Sequence, residues 1–343
     1  MSVTIKDVAK AAGVDPSTVS RVIADNPRIS QKTKEKVLQV MNELDFHPNA
    51  IARSLANRST QTIGVIMPNS SEQVFVNPFF TEVMRGISMS ALKKGYNVLF
   101  STGSNTEEEY KSTKRLVNEK RVDGLILLTS RVGDKTIEEL MKKKFPFVVV
   151  GKPTKNENIN WVDNNNSEAG YTATEHLIKQ GHKAIGFIGG EFSYVFMGER
   201  FRGYKKALDV YGIEFSKDYL ALEEFLEEGG YRAMKKLMAV NKRMTAAVVA
   251  DDLMAFGVMR AIREEGLRIP NDIAVVGFND TPLARYVDPP LTSVEIFVFE
   301  LGYNAAEILI NQLEQEDEQK KHIIIPTRLI ERKSSISARK AKK

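Results

Sequence analysis

Seven short, almost unbroken apolar runs constrain this chain more than any other feature: TIGVIM (62–67), NVLFS (97–101), GLILLT (124–129), FVVVG (147–151), AIGFIGG (184–190), AAVVA (246–250) and DIAVVGF (272–278). Each is rich in Val and Ile and lacks polar alternation. That is the pattern of parallel strands covered on both faces. Amphipathic segments such as PFFTEVMRGISMSALKKG (78–95) and DLMAFGVMRAIREEG (252–266) lie between them and supply the crossovers a parallel sheet requires. The number of units suffices for two doubly wound sheets. We expect the break between lobes near residues 160–166, with return crossings at 291–296 and 320–323.

The first sixty residues follow a different rule. Ile5, Val8, Ala9 and Ala12 recur at i, i+3, i+4 and i+7, one apolar stripe on a helix. Thr4 and Asp7 have capping-box spacing, and Gly13 suits the left-handed residue that ends a helix. Asp15 and Pro16 then read as N-cap and first residue of a second helix. Val19, Val22 and Ile23 form its buried side, leaving Ser17, Thr18 and Arg21 outward. Two short helices joined by a tight turn, with small hydroxyls and an arginine on the outer face, describe a helix-turn-helix. A third helix starting near Ser30 closes the core with Val37, Val40, Met41 and Leu44. The segment 49–57 that follows Pro48 reads as a two-turn helix, too short to be stable alone in water.

Charge separates along the chain. Residues 1–60 carry nine basic against six acidic side chains, residues 331–343 six against one, and the stretch between them a net charge of −3. A basic head on a mildly acidic body suits a DNA reader whose body binds something else. The terminal RKSSISARKAKK is expected to be a basic, disordered tail without apolar heptads, so dimers are expected rather than tetramers. Cysteine is absent, and the four histidines show no ligand spacing, so no metal and no cofactor is expected. No apolar run is long enough to cross a bilayer and the N-terminus has no signal region, which points to the cytoplasm and to no membrane partner.

The segments VTIKDVAKAAGVDPSTVSRVI and PNAIARSLA, followed by an α/β body, resemble the lactose-repressor (LacI) family of bacterial transcription regulators over nearly the whole chain. The resemblance implies an α/β core of two doubly wound parallel-sheet lobes, periplasmic-binding-protein-like, behind an N-terminal all-α helix-turn-helix headpiece. It divides the chain into a headpiece (1–47), a hinge (48–60), a two-lobed effector and dimerisation body (61–330) and a tail (331–343). It also implies a homodimer on palindromic operator DNA. Thr4, Pro16, Ser17, Thr18 and Arg21 would meet DNA through the headpiece. Asn49, Ala52, Leu55 and Ala56 would meet it through the hinge, with Leu55 wedged into the minor groove. Pro16 has no side-chain donor, so base readout leans on Arg21, the residue type that fits guanine O6 and N7.

Ligands of open α/β sheets sit beyond the carboxyl ends of the strands. Here those ends are Asn69, Ser101, Gly151, Glu191, Asp251–Asp252 and Asn279–Asp280. The resemblance assigns Arg202, Tyr231, Asp251 and Asn279 to a small sugar effector. Asn69, Phe80 and Trp161 complete the expected set, while Asp252 and Asp280 read as caps and Phe79 as core. Gly151 stands where the family has an acidic residue, which leaves room. Aromatic rings suited to pyranose faces make the chain similar to maltose-responsive repressors of Gram-positive bacteria. Two other readings stay open: a catabolite regulator of the same family answering to a phosphorylated carrier protein, and a sugar-binding protein with no regulatory role. No catalytic pair or phosphate loop argues for an enzyme.

Overall fold

The structure, a computed structural model, describes residues 3–24, 26–46, 59–68, 71–155, 158–241, 243–315 and 319–336. The hinge positions Asn49, Ala52, Leu55 and Ala56, the cleft position Asn69 and the tail beyond residue 336 lie outside the described residues.

Three helices build the headpiece: α1 (Ile5–Ala12), α2 (Pro16–Ile23) and α3 (Gln31–Glu43). The Asp7 carboxylate accepts from the Thr4 backbone N–H at 2.9 Å and from its hydroxyl at 2.7 Å. Gly13 ends α1 at φ 63°, and the Asp15 carboxylate opens α2 by accepting from the Ser17 N–H. Val8, Ala9, Ala12, Val19, Val22 and Val37 close one small core. Pro16, Ser17 and Arg21 are exposed on the opposite side and Thr18 is half-buried.

The body has two lobes, each with a six-stranded sheet. The first lobe contains β1 (Thr62–Met67), α4 (Ser71–Val76), α5 (Pro78–Lys93), β2 (Asn97–Thr102), α6 (Thr106–Asn118), β3 (Gly124–Leu127), α7 (Lys135–Lys142), β4 (Phe147–Val150) and β5 (Asn160–Asn164). The second contains α8 (Asn166–Lys179), β6 (Ile185–Gly189), α9 (Val195–Val210), β7 (Leu220–Leu222), α10 (Glu227–Val240), β8 (Ala246–Val249), α11 (Asp252–Glu264), β9 (Ala274–Phe278) and β10 (Thr292–Glu295). The chain then returns to the first lobe for α12 (Val298–Gln315) and β11 (His322–Ile325), and ends in the second with β12 (Arg328–Ile330). Sheet order is β11-β5-β4-β3-β1-β2 in one lobe and β12-β10-β9-β8-β6-β7 in the other. Every neighbouring pair is parallel except β10 with β12.

All seven apolar runs are strands, and the central ones are buried residue by residue, as double coverage demands. Five further strands, β5, β7, β10, β11 and β12, complete the sheets; four are short or polar, whereas β11 is an apolar run, HIII, standing at the expected third crossing. The third crossing, expected at 320–323, falls after Ile325, because His322–Ile325 still pairs with β5. The tail is also shorter than expected. Ser334 donates to the Val275 carbonyl at 2.6 Å and accepts from the Thr292 N–H at 2.8 Å, so residues 331–336 are packed against the second lobe.

Glycines set the closest helix contacts. α5 crosses α12 at Gly86 and Gly302, α8 crosses α9 at Gly170 and Gly203, and α10 crosses α11 at Gly230 and Gly257. A Cβ on Gly302 would lie 2.1 Å from the Val83 carbonyl oxygen, so no larger residue fits that crossing unshifted.

The three crossings are tied together by one side chain. Asn164, in the first crossing, donates its amide to the Ile296 carbonyl in the second and the Ile325 carbonyl in the third, each at 3.0 Å.

Candidate functional site

The cleft between the lobes lies beyond the carboxyl ends of β1, β3, β4 and β5 on one side and of β8 and β9 on the other. It encloses about 740 Å³ of space free of atoms, its open mouth included.

Its polar floor is a preset network. Asp251 caps α11 through one carboxylate oxygen, accepting from the Leu253 N–H at 2.7 Å. The other oxygen accepts from Asn77 at 3.1 Å and from Asn279 at 2.9 Å. Asn77 belongs to the first lobe, where it also caps α5 through the Phe79 N–H, so this contact spans the cleft. Asn279 is held at φ 101°, a conformation that L residues rarely adopt and that clusters at functional sites.

Arg200 on α9 is fully buried beside the cleft. Its Nε donates to Asn166 at 2.9 Å and one terminal nitrogen to the Ala250 carbonyl at 2.7 Å, while the guanidinium lies 4.4 Å from the Phe278 ring centre. Burial pulls its pKa down to about 10, against the pull of Asp251, Asp163 and Asp252. Burial likewise raises Asp163 and Asp251, opposed by the hydrogen bonds they accept and by Arg200.

One arginine between two aspartates leaves no surplus cation in the lining. The remaining walls are apolar and aromatic: Phe79, Phe80, Tyr194, Phe196 and Phe225. Tyr194, Phe196 and Phe225 form a triangle of rings with centroids 5.7–5.9 Å apart. Thr129 also lines the cleft, and among the described residues its buried hydroxyl has no hydrogen-bond partner. A site without surplus positive charge, with aromatic walls and fixed amides and carboxylates, suits a neutral polyhydroxyl ligand.

The cleft gathers Phe80, Asp251 and Asn279 from the expected set, and Gly151, at the end of β4, lines it as well. Phe79, expected in the core, lines it too. Arg202 does not. Two residues past Arg200 on a helix turns a side chain by about 200°, and Arg202 pairs with Glu199 on the surface at 2.7 Å. Tyr231 lies outside the cleft, its hydroxyl donating to Glu264 at 2.6 Å and its ring covered by Arg260; Phe225 is the aromatic that enters. Trp161 is buried with Leu127 and Val149 and stacks on His322 at 4.8 Å, short of the strand end. Neither of the residues read as caps opens its own helix. Asp252 is buried, accepting from Ser293 at 2.7 Å and from the Thr281 N–H at 2.8 Å, and Asp280 pairs with Arg285 and Arg332.

Asn77, Asp163, Asn166 and Arg200 escaped the sequence reading. The Asn77–Pro78 step and the run Asp163–Asn166 were visible as polar breaks, but nothing local showed that they converge.

Residues 4–49 match the model of bacterial regulatory proteins of the lacI family, and residues 174–335 match a periplasmic binding protein-like domain. The HTH-type transcriptional regulator MalR of Streptococcus pneumoniae is 41% identical over 302 residues, covering 86% of this chain and 90% of MalR. The chain belongs to the lacI family. Like its relatives, this lacI-family protein is a DNA-binding transcriptional regulator, not an enzyme. The lac repressor dimer bound to operator and the anti-inducer ONPF superposes on it with a TM-score of 0.85 at 30% identity, covering 98% of this chain and all of that one. The complex of the transcriptional regulator CelR with cellobiose gives 0.77 at 30% identity, covering 97% and 99%. Among the described residues, no helix of this lacI-family chain is long and apolar enough to cross a membrane.

Proposed function

We propose that this lacI-family regulator is a dimeric repressor whose operator affinity is set by a neutral α-glucoside, maltose first, held between the lobes. The observation that carries the reading is the inter-lobe network of Asn77, Asp251 and Asn279 beside an aromatic cleft with no surplus cation. A phosphorylated effector would need surplus cations, and the lining has none beyond Arg200. The relation to MalR and the likeness to a cellobiose complex support a disaccharide.

Phe80, Asp251 and Asn279, with Asn77 and Arg200, are the proposed effector contacts, and Asn69 keeps the place the sequence gives it at the end of β1. Thr4, Pro16, Ser17, Thr18 and Arg21 form the proposed operator face, with Asn49, Ala52, Leu55 and Ala56 in the hinge. Two copies would meet through exposed apolar residues on both lobes: Phe75, Val76 and Phe100 in the first, Leu283 and Tyr286 in the second. Sugar bound across the closed cleft favours one lobe arrangement. A ligand shifts such an equilibrium only by its differential affinity for the two states. We assign the sugar-bound state to release of DNA.

Fluorescence anisotropy on a labelled palindromic operator tests this. Maltose should weaken binding in the wild type, and Asn279→Ala should bind operator normally while losing the response. A phosphorylated carrier protein should change nothing. Equal affinity for every duplex, unaltered by any carbohydrate, would end the proposal; a response to another disaccharide alone would replace maltose.

A further inference from the structure

A second pocket opens beside the cleft, beyond the carboxyl ends of β6 and β7, with about 810 Å³ of free space counting its mouth. The two spaces share a wall, because the Tyr194 and Phe225 rings line both. We propose that this outer pocket is a further glycosyl subsite, so that besides maltose the site takes α-glucosides of three or more units, with one end in the cleft and higher affinity. This rests on the cleft being the effector site.

Three features of the pocket argue for a sugar. Its two rings stand edge to face, centroids 5.9 Å apart, and offer flat apolar surface of the kind pyranose faces cover. Carboxylates surround them: Glu191, Glu223 and Glu224, acceptors for sugar hydroxyls. Two of these are held in place, since Arg232 donates to Glu223 at 3.0 Å and to Glu224 at 2.7 Å, and Lys236 also pairs with Glu223. Preset acceptors bind without the ordering cost of free side chains. No metal-binding cluster occurs among the described residues.

Gly190 completes the geometry. A Cβ there would fall 2.3 Å from the Phe225 ring, so the missing side chain is what lets the ring lie over the end of β6 between the two spaces.

Calorimetry of the full-length protein with maltose, maltotriose and maltotetraose tests the subsite. Maltotriose should bind about tenfold tighter than maltose, a gain of one added set of contacts. The variants Glu191→Ala and Glu224→Ala should lose that gain and keep wild-type maltose affinity. Maltose binding with no gain on lengthening, or a gain untouched by both variants, overturns the subsite alone. No heat from any of the three sugars overturns the cleft reading and the subsite with it.

Discussion

Asp251 and Asp252 are adjacent in sequence and do unrelated work. Asp251 divides its oxygens between a helix cap and the cleft, whereas Asp252 is shut in with Ser293 and Thr281. Burial is the largest influence on Asp252, and its pKa is pushed up to about 8. The native state therefore keeps a proton that the unfolded chain gives up near pH 4. The stability this group contributes is full below about pH 4 and drains away as pH climbs toward 8. Asp252→Asn, with its amide turned toward Ser293, should flatten that slope in thermal unfolding measured across the window. At the DNA end, Arg21→Ala should cost about 1–3 kcal/mol at one base position and relax specificity there, read from operators altered base by base. Residue types at the strand ends were legible in the sequence, so Asp251 and Asn279 stood out. Arg200 and Arg202 differ only in helical phase, which a matched segment does not fix without the helix axis; hence the resemblance pointed to the wrong member of the pair.

Paired glycines let three helix couples approach until backbone meets backbone, whereas Gly198 has no such duty. Gly302→Ala drives a methyl group into the Val83 carbonyl, and overpacking of this kind costs about 1–3 kcal/mol. Gly198, on α9, has no neighbour within 4 Å of an added Cβ, so Gly198→Ala should gain about 0.5–1 kcal/mol from helix propensity. Urea midpoints of the two variants should move in opposite directions. The legible strands are those that read as continuous apolar runs, whether buried throughout like β3 and β4 or partly exposed like β2. β5 was read as a linker because its residues, Asn160, Trp161, Val162, Asp163 and Asn164, are largely polar. Those polar groups are occupied: Asn160 with Gln312, Asp163 with Lys152 and Asn166, Asn164 with the other crossings. Partners that distant leave no local periodicity to read.

The lobes touch on both sides of the cleft. Asn77 reaches Asp251 on one side; on the other, Val132 donates to the Ser193 carbonyl at 2.9 Å and Val195 to that of Ser130 at 3.1 Å. Between those bonds Arg131 lies over the Tyr194 ring and grips Glu109 with two hydrogen bonds, of 2.6 and 3.0 Å. Replacing both members, Arg131→Leu with Glu109→Leu, avoids stranding a buried charge and removes the clasp. We expect maltose affinity to fall about tenfold, a change of about 1.4 kcal/mol, with operator binding in the absence of sugar unchanged, followed by calorimetry and anisotropy. Neither lobe is a continuous stretch of chain, since the first takes α12 and β11 from beyond the second, and the second takes β12 from beyond those. During synthesis, then, the three-helix headpiece leaves the ribosome with its core complete while both halves of the sensor wait for strands made far later; a nascent chain holds a folded reader long before it can pair with a second copy or taste its sugar.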